Sequence, residues 1–591
     1  MISNRLTNTI AFFLLAFMFL AALFSMISDS LTFDEKAHIG AGFSYLAKQD
    51  YRLNPEHPPL VKDLAALPLL FLNLNFPDTH PAWLQKDEAP PWWVQFDFGR
   101  ELLYSSGNDP AKIIFWARII MISLLIFLGW LLFWWTKKMT GGIPALLVLS
   151  LFTFSPEFLA HGRLVTTDVG AALGALIAII FWLKFLQNPS LKNVIFAGLT
   201  FGLAQLFKFT LLLLIPFFII ITIIYIFLFT KKELSRGKIF FSYFGKAILA
   251  GLIGFLFIIW PIYQFNVWHY PIEQQVRDTR ADISSNPASF AKEITIWMAG
   301  KEFLRAPAQY FRGILMALQR SAWGNTTYFL GQISAEGWRY YFPLIYLFKL
   351  PLAFHFLSIL AIILFFVSFL KKKLGEKIKL TQNNFWIFAI FFWVIFYWIA
   401  AIKSNLNIGL RHLIPVLPFT YILVVLAIYQ SFQTISKKIN RLYFILVTVL
   451  LFSWYIFSSI LTFPHYLSYF NELGGGIKNG HKIAVDSNYD WGQDFYRLIK
   501  FVEENKIDKI YLDYFGGEES EYWLKEKYVR FDPKEMKGPP KGWLAVSSNH
   551  LMGGVAKPKK GFDQETSFYD WLEGKEPFGR AGYSIFIYYF D

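Results

Sequence analysis

The chain has 591 residues, 55% of them hydrophobic and 19% aromatic, with only 17% charged, well below the roughly 25% of an average soluble protein. It has no cysteine, which excludes disulfides, thiol catalysis and thiolate-held metals. The formal net charge of +14 argues against nucleic acid as a partner: most of the Lys/Arg excess lies in short loops between apolar runs, where it sets orientation in a lipid bilayer.

The repeated apolar runs predict a polytopic α-helical membrane protein. At roughly 20 apolar residues per span, about eleven spans are predicted near 10–28, 113–135, 142–160, 168–187, 193–208, 209–230, 239–263, 342–370, 385–402, 412–430 and 441–463. No small-residue cleavage site follows the first span, which reads as an anchor. Alternate loops are basic: Lys137 and Lys138; Lys184 and Lys192; Lys231, Lys232, Arg236 and Lys238; Lys371, Lys372 and Lys373; Lys437, Lys438 and Arg441. The positive-inside rule puts these loops in the cytoplasm with the N-terminus. An odd number of spans then puts the C-terminus outside. Three long segments, 29–112, 264–341 and 464–591, share that outer side.

In the first outer segment, "HPPLVKDLAALPLLFLNL" is too short and too interrupted by proline to span, and predicts a helix lying along the interface. The Trp-rich "PAWLQKDEAPPWWVQF" suits the headgroup layer. The second outer segment predicts a short amphipathic helix followed by a loop rich in glycine and aromatic residues. Its "NTT" at Asn325 is a tripeptide common by chance. In the third, the runs "KIAVDS", "KIYLDYF", "GWLAVSS" and "YSIFIYYF" read as strands. Phe495, Leu498, Ile499 and Val502 follow helical spacing. The chain thus divides into a membrane domain, 1–463, and a small extracytoplasmic α/β domain, 464–591. "DSNYDWGQD" has the alternating Asp486, Asn488 and Asp490 of a calcium loop, but the glycine comes one residue late and Arg497 stands where a bidentate Glu belongs. A strand-to-helix turn capped by Asp490 is the preferred reading.

Ionisable residues at membrane depth are costly and mark function by default. On the predicted topology several meet at the outer face. Asp34 and Glu35 follow the first span; His161, Arg163 and Asp168 lie between the third and fourth. Lys208 sits where the fifth and sixth meet, and Lys349 lies early in the eighth. Lys403, Arg411 and His412 lie between the ninth and tenth. Each alone reads as a snorkelling anchor. Together they describe a site for a phosphate-bearing substrate and a group to be deprotonated.

The motifs "FDEKAH", "NPEHPPLVK", "GRLVTTD", "LFKFT" and "GLRHLIPVLP" resemble, in order and spacing, the GT-C membrane glycosyltransferases, within them the protein O-mannosyltransferase and aminoarabinose (ArnT-like) transferase group. "PHYLSYFNELGGG" and "DSNYDWGQD" resemble a bacterial branch with a small extracytoplasmic C-terminal domain. Nothing resembles the β-trefoil insert of the eukaryotic mannosyltransferases or the WWD-type motif of oligosaccharyltransferases. The resemblance implies a mannosyltransferase-like enzyme of the bacterial plasma membrane. It would move a sugar from a polyprenyl-phosphate donor to a hydroxyl or amine on a protein or glycolipid acceptor, with inversion. It implies Asp34 as general base and Asp168 as a second acid that orients the acceptor or stabilises charge on the sugar. Lys208 and Arg411 would hold the lipid phosphate, with Glu35, His57, Lys62, Arg163 and His412 as further substrate-binding candidates.

No cofactor is required by this reading. A divalent metal is kept open, with Glu56, His57, His269 and His465 as candidate N/O ligands. A transporter or flippase of lipid-linked sugars is the alternative, since intramembrane charges also mark transport pathways. The chain shows no internal repeat, and its large outer segments fit an enzyme better.

Overall fold

The computed structural model describes residues 3–84, 92–229, 236–370, 375–376, 382, 384–434 and 438–591. The basic residues Lys231, Lys232, Lys371, Lys372, Lys373 and Lys437 lie outside the described residues, as do the side chains of Arg236 and Lys438. Among the described residues, nine helices are long and apolar enough to cross a membrane: Asn4–Ile27, Pro110–Thr140, Asp168–Gln187, Phe209–Phe229, Gly237–Asn266, Leu352–Leu370, Phe385–Lys403, Leu410–Thr434 and Ile439–Thr462. Two shorter apolar helices, Gly142–Thr153 and Leu191–Phe207, occupy the remaining predicted stretches. Helix is the only open-chain geometry that satisfies its own backbone in hydrocarbon. Polar residues mark the ends. Ser3 caps the first helix by accepting from Leu6 N at 3.2 Å. Asp109 caps Pro110–Thr140 by accepting from Lys112 N at 3.2 Å, with Pro110 at the first position.

Two predicted spans are broken. The run 142–160 stops after Thr153, and Ser155 starts a second helix, Pro156–His161. Twelve residues rise only about 18 Å, short of the roughly 30 Å core of a bilayer. The run 342–370 divides into Tyr341–Lys349 and Leu352–Leu370. Between them Pro351 brings no backbone N–H to continue the helix. Elsewhere glycine sets the packing distance. A Cβ on Gly202 would lie 2.5 Å from Gly254 O, and one on Gly198 would lie 2.4 Å from Ala250 O. Backbones this close need small residues on both helices.

The three long segments gather on one face. Helix Phe33–Lys48 opens the first, and Leu60–Ala66 runs into a 3-10 turn, Leu67–Phe71. Leu67, Leu70 and Phe71 of that turn are exposed, which suits the expected interfacial element. The second segment carries the amphipathic helix Arg305–Trp323 and the hairpin β1 (Thr327–Phe329) and β2 (Gln332–Ser334). The third contains β3 (Ile510–Asp513), β4 (Tyr528–Arg530), β5 (Gly542–Ser547), β6 (Lys557–Pro558), β7 (Gly579–Ala581) and β8 (Ile585–Phe590). Five of these form a sheet in the order β4-β3-β5-β8-β7, parallel where β3 meets β4 and β5 and antiparallel elsewhere. Phe495, Leu498 and Val502 of helix Phe495–Glu504 pack on it with Ile510, Leu512, Ile585 and Ile587. β6 joins β2 in parallel and ties the second segment to the third. Leu31 N donates to Glu518 Oε1 at 2.7 Å and Gln309 Nε2 to Tyr51 O at 3.1 Å. These bonds tie the first segment to the other two.

"KIAVDS" is not a strand. It holds the end of one 3-10 turn and the start of another, Gly480–Lys482 and Asp486–Asn488, with a single bridge from Ala484 to Phe329. Nor does Asp490 cap the following helix, which begins at Phe495 with Asp494 in the cap position. Asp490 Oδ2 instead accepts from Ser548 Oγ at 3.2 Å and Asn549 N at 3.0 Å.

Candidate active site

The neighbouring carboxylates after the first span have opposite surroundings. Glu35 closes a capping box, accepting from Thr32 N at 3.0 Å and Oγ1 at 2.9 Å. Arg118 donates to it from Nε at 2.9 Å and Nη2 at 2.6 Å, and Val165 N donates at 2.9 Å. Burial alone would raise its pKa, but the Arg118 charge and these hydrogen bonds prevail and hold it below the usual range. Glu35 is a structural anion. One residue earlier on the helix, Asp34 is 25% exposed and lines a cavity of about 140 Å³.

Three further groups meet there. Asp168 is the first residue of helix Asp168–Gln187, where the helix dipole favours an anion. Its Oδ1 accepts from Lys208 Nζ at 2.5 Å, and Arg411 Nη1 lies 3.8 Å from its Oδ2. Lys208 occupies the extended link between Leu191–Phe207 and the 3-10 turn Phe209–Leu213. Arg411 sits in the 3-10 turn Leu410–Val416, after Gly409 at φ +150°. A Cβ at Gly409 would lie 2.4 Å from Ser487 Oγ. Arg411 Nη1 donates to Asp34 Oδ2 at 3.1 Å, and its guanidinium lies 4.3 Å from the Trp491 ring centre. One guanidinium therefore bridges Asp34 and Asp168, with Lys208 beside it. Asp34, Lys208 and Arg411 line the cavity; Asp168 lies fully buried behind the wall and braces both cations.

His38, His57 and His412 line the same cavity. His38 Nδ1 is 2.7 Å from Val165 O. Burial lowers the pKa of His38 and lowers that of His57 further, so both imidazoles are held uncharged. Also lining the cavity, Arg320 Nη1 donates to Glu56 Oε2 at 2.5 Å, and Trp92 Nε1 donates to Glu56 Oε1 at 3.0 Å. Among the described residues, Asp168 Oδ2, Arg411 Nε and His412 Nε2 are buried without hydrogen-bond partners. Such atoms are rare in a settled interior and leave bonding capacity at the site.

Besides Glu35, two predicted binding residues stay off the wall, Lys62 and Arg163. Lys62 is buried and donates to Tyr45 OH at 2.9 Å, Asn54 O at 2.8 Å and His57 O at 2.9 Å. It fixes the turn that carries His57, and burial pushes its pKa well below the ordinary lysine value. Arg163 pairs with Asp29 at 2.6 Å and lies 5.8 Å from the Tyr466 ring. The four metal candidates go to separate partners: Glu56 to Arg320, His57 to the His38 ring edge, His269 Nδ1 to Lys48 O at 3.2 Å, and His465 to the Tyr583 ring. Among the described residues no three His, Asp or Glu side chains converge as a metal-holding group. The sequence reading did not single out Arg118, Arg320 or Trp491. Arg118 lies within a predicted span and could have been flagged by that alone. Arg320 sits on an amphipathic helix where an arginine is ordinary.

A family model described as dolichyl-phosphate-mannose-protein mannosyltransferase matches residues 105–260, about a quarter of the chain. That stretch contains Asp168 and Lys208. The match falls within the apolar, membrane-spanning part of the chain. No curated protein sequence matches the chain. Among solved structures, the chain is similar to the S. cerevisiae protein O-mannosyltransferase Pmt1-Pmt2 complex bound to the sugar donor. The two are 20% identical, with 45% of this chain and 35% of that one covered and a TM-score of 0.33. It is also similar to ArnT from Cupriavidus metallidurans bound to undecaprenyl phosphate: 11% identity, 97% of each chain, TM-score 0.44. A third is the oligosaccharyltransferase AglB from Archaeoglobus fulgidus, in complex with an inhibitory peptide and a dolichol-phosphate: 12% identity, 92% of this chain and 71% of that one, TM-score 0.46.

Proposed function

We propose that this protein is a glycosyltransferase that moves a sugar from a polyprenyl-phosphate donor to an acceptor hydroxyl or amine at the outer face of a bacterial plasma membrane. The observation that carries this reading is the bridge of Arg411 between Asp34 and the buried Asp168, beside Lys208, at the wall of one cavity. Two cations at one point suit a phosphate, and a partly exposed carboxylate next to them suits a base. The donor phosphate takes the place of Asp34 on Arg411 and adds Lys208. The freed Asp34 carboxylate accepts the acceptor proton as the acceptor attacks the anomeric carbon. The bond from that carbon to the phosphate oxygen breaks and leaves its electrons on the phosphate. Lys208 and Arg411 stabilise this growing charge, so no general acid is needed. A single displacement inverts the anomeric centre. Asp168 positions the two cations.

Against a transporter, the cavity-lining residues come from the long segments and from the ends of spans that adjoin them, Thr167, Lys208, Ser404 and Arg411 among them. The experiment supplies purified protein with polyprenyl-phosphate sugars, mannose first, and an acceptor panel of peptides and glycolipids, and follows release of the lipid phosphate. Asp34→Asn keeps shape and removes proton abstraction. We expect transfer to fall by at least about a hundredfold, with donor binding retained. Wild-type turnover in a folded Asp34→Asn protein would remove Asp34 from this role.

A further inference from the structure

The segment "DSNYDWGQD", 486–494, has no part in the chemistry above, yet it is bonded to both turns that present it. Ser487 Oγ donates to Ile408 O at 2.5 Å, and Leu410 N donates to Asn488 Oδ1 at 3.0 Å. The Trp491 ring lies against the Arg411 guanidinium. On the other side, Phe33 N donates to Trp491 O at 3.0 Å, Ser30 Oγ to Gly492 O at 2.7 Å and Ser30 N to Gln493 O at 3.0 Å. One segment thus grips the turn of Arg411 and the start of the helix that carries Asp34. Asp486 heads it, in the left-handed region at φ +56°, a conformation that non-glycine residues adopt at some cost. Its Oδ1 accepts from its neighbour Ser487 N at 2.5 Å. Among the described residues it has no ion pair, although it is half-buried and within electrostatic reach of Arg411, Arg320 and Asp34.

We propose that Asp486 is a positioning residue for the donor: it competes with the donor phosphate for Arg411 and takes up a proton from solvent when the phosphate arrives. This rests on the preceding reading of Arg411 as a phosphate ligand. Without donor, Arg411 pairs with Asp34 and Asp168 and feels the charge of a third carboxylate, Asp486, whose neighbours Ser487 and Asn488 are bonded to its turn. A phosphodiester brings a fourth negative charge. Asp168 is held by Lys208, and Asp34 is needed as a base. Asp486 is the carboxylate with no ion pair of its own. Burial raises its pKa to about 6; Asp34 adds to the rise, while Arg411, the Ser487 N–H and Arg320 oppose it. Tyr341, a neutral phenol, also lies within electrostatic reach. A phosphate that engages Arg411 weakens the main opposing charge and raises that pKa further. Binding is then strongest where Asp486 is already protonated, below about pH 6, and weakens as pH rises through that value.

The test measures affinity for a short-chain prenyl phosphodiester of mannose, whose single charge does not titrate between pH 5 and 9, so the ligand adds no pH dependence. For one linked proton the wild-type Kd should rise with pH from 6 to 8, by at most about tenfold per unit. Titration calorimetry in two buffers of different ionisation enthalpy should show uptake of part of a proton at pH 7. Asp486→Asn should bind more tightly at pH 8 than wild type and lose the slope, and Asp486→Glu should keep it. A wild-type slope unchanged in Asp486→Asn, weaker binding of that variant at every pH, or no proton uptake by wild type would each overturn the proposal. The proton measurement uses unmodified protein and decides the matter if Asp486→Asn fails to fold. No binding of the diester by wild type at any pH would remove the phosphate site itself, a result distinct from binding without proton linkage.

Discussion

Asp34 and Glu35 are adjacent, chemically alike and separated in role by one helical step. Glu35 meets Arg118 in the interior, where removing one partner of a buried pair costs about 3–5 kcal/mol because the other charge is left uncompensated. Glu35→Gln should therefore lower the thermal midpoint of the detergent-purified protein sharply, whereas Asp34→Asn should leave it near wild type. The folded pKa of Glu35 is depressed, so its contribution is present above the ordinary glutamate range and lost as pH falls through the depressed value. A Glu35→Gln protein as stable as wild type would mean that Arg118 is compensated from elsewhere. The pairing itself was not legible: residue type and predicted depth grouped Asp34, Asp168, Lys208 and Arg411, which do meet. The same criteria also grouped Glu35, Lys62 and Arg163, which face other partners. Telling these apart requires Arg118, Tyr45 and Asp29, and no local spacing links those residues to them.

At the scale of elements, apolar runs gave the helices away, because a span needs only length and hydropathy. Their interruptions were harder to read. Pro351 is a plain signal inside the run 342–370, but nothing in "LFTFSPEF" separates a short helix and a new start at Ser155 from one continuous span. "KIAVDS" alternates like a strand, yet Ser487 bonds Ile408 O and Ala484 bridges Phe329, and those tertiary contacts override a propensity that is weak in any case. Helix contacts were legible only as isolated glycines. Gly202→Val should force Leu191–Phe207 away from Gly254, where the new Cβ would lie 2.5 Å from a carbonyl oxygen. Overpacking of this kind costs roughly 1–3 kcal/mol. Gly251→Ala, on the neighbouring helix, meets nothing within 4 Å and should be neutral. Equal melting of the two variants would show that this contact gives way easily.

For the whole molecule, the binding of three distant segments to one another constrains topology more firmly than charge counting. Ser30, Gln309 and Glu518 belong to different outer segments, yet Ser30 N donates to Gln493 O, Gln309 bonds Tyr51 and Glu518 bonds Leu31. All three segments must therefore share one side of the bilayer, whichever side that is. Loop charge then supplies the direction: Lys138 and Lys192 sit at the opposite ends of spans from these segments, and cytoplasmic loops carry the Lys/Arg excess. Because the chain has no native cysteine, Lys192→Cys and Lys506→Cys, both exposed positions, are labelled without background. In intact cells an impermeant maleimide should modify Cys at 506 and spare Cys at 192 until the membrane is opened. The reverse pattern would invert the protein and put the cavity of Asp34 and Arg411 in the cytoplasm, against a donor used at the outer face. Labelling of both positions in intact cells would contradict the fold itself, since a parity change between 192 and 506 would pull the first segment away from the third.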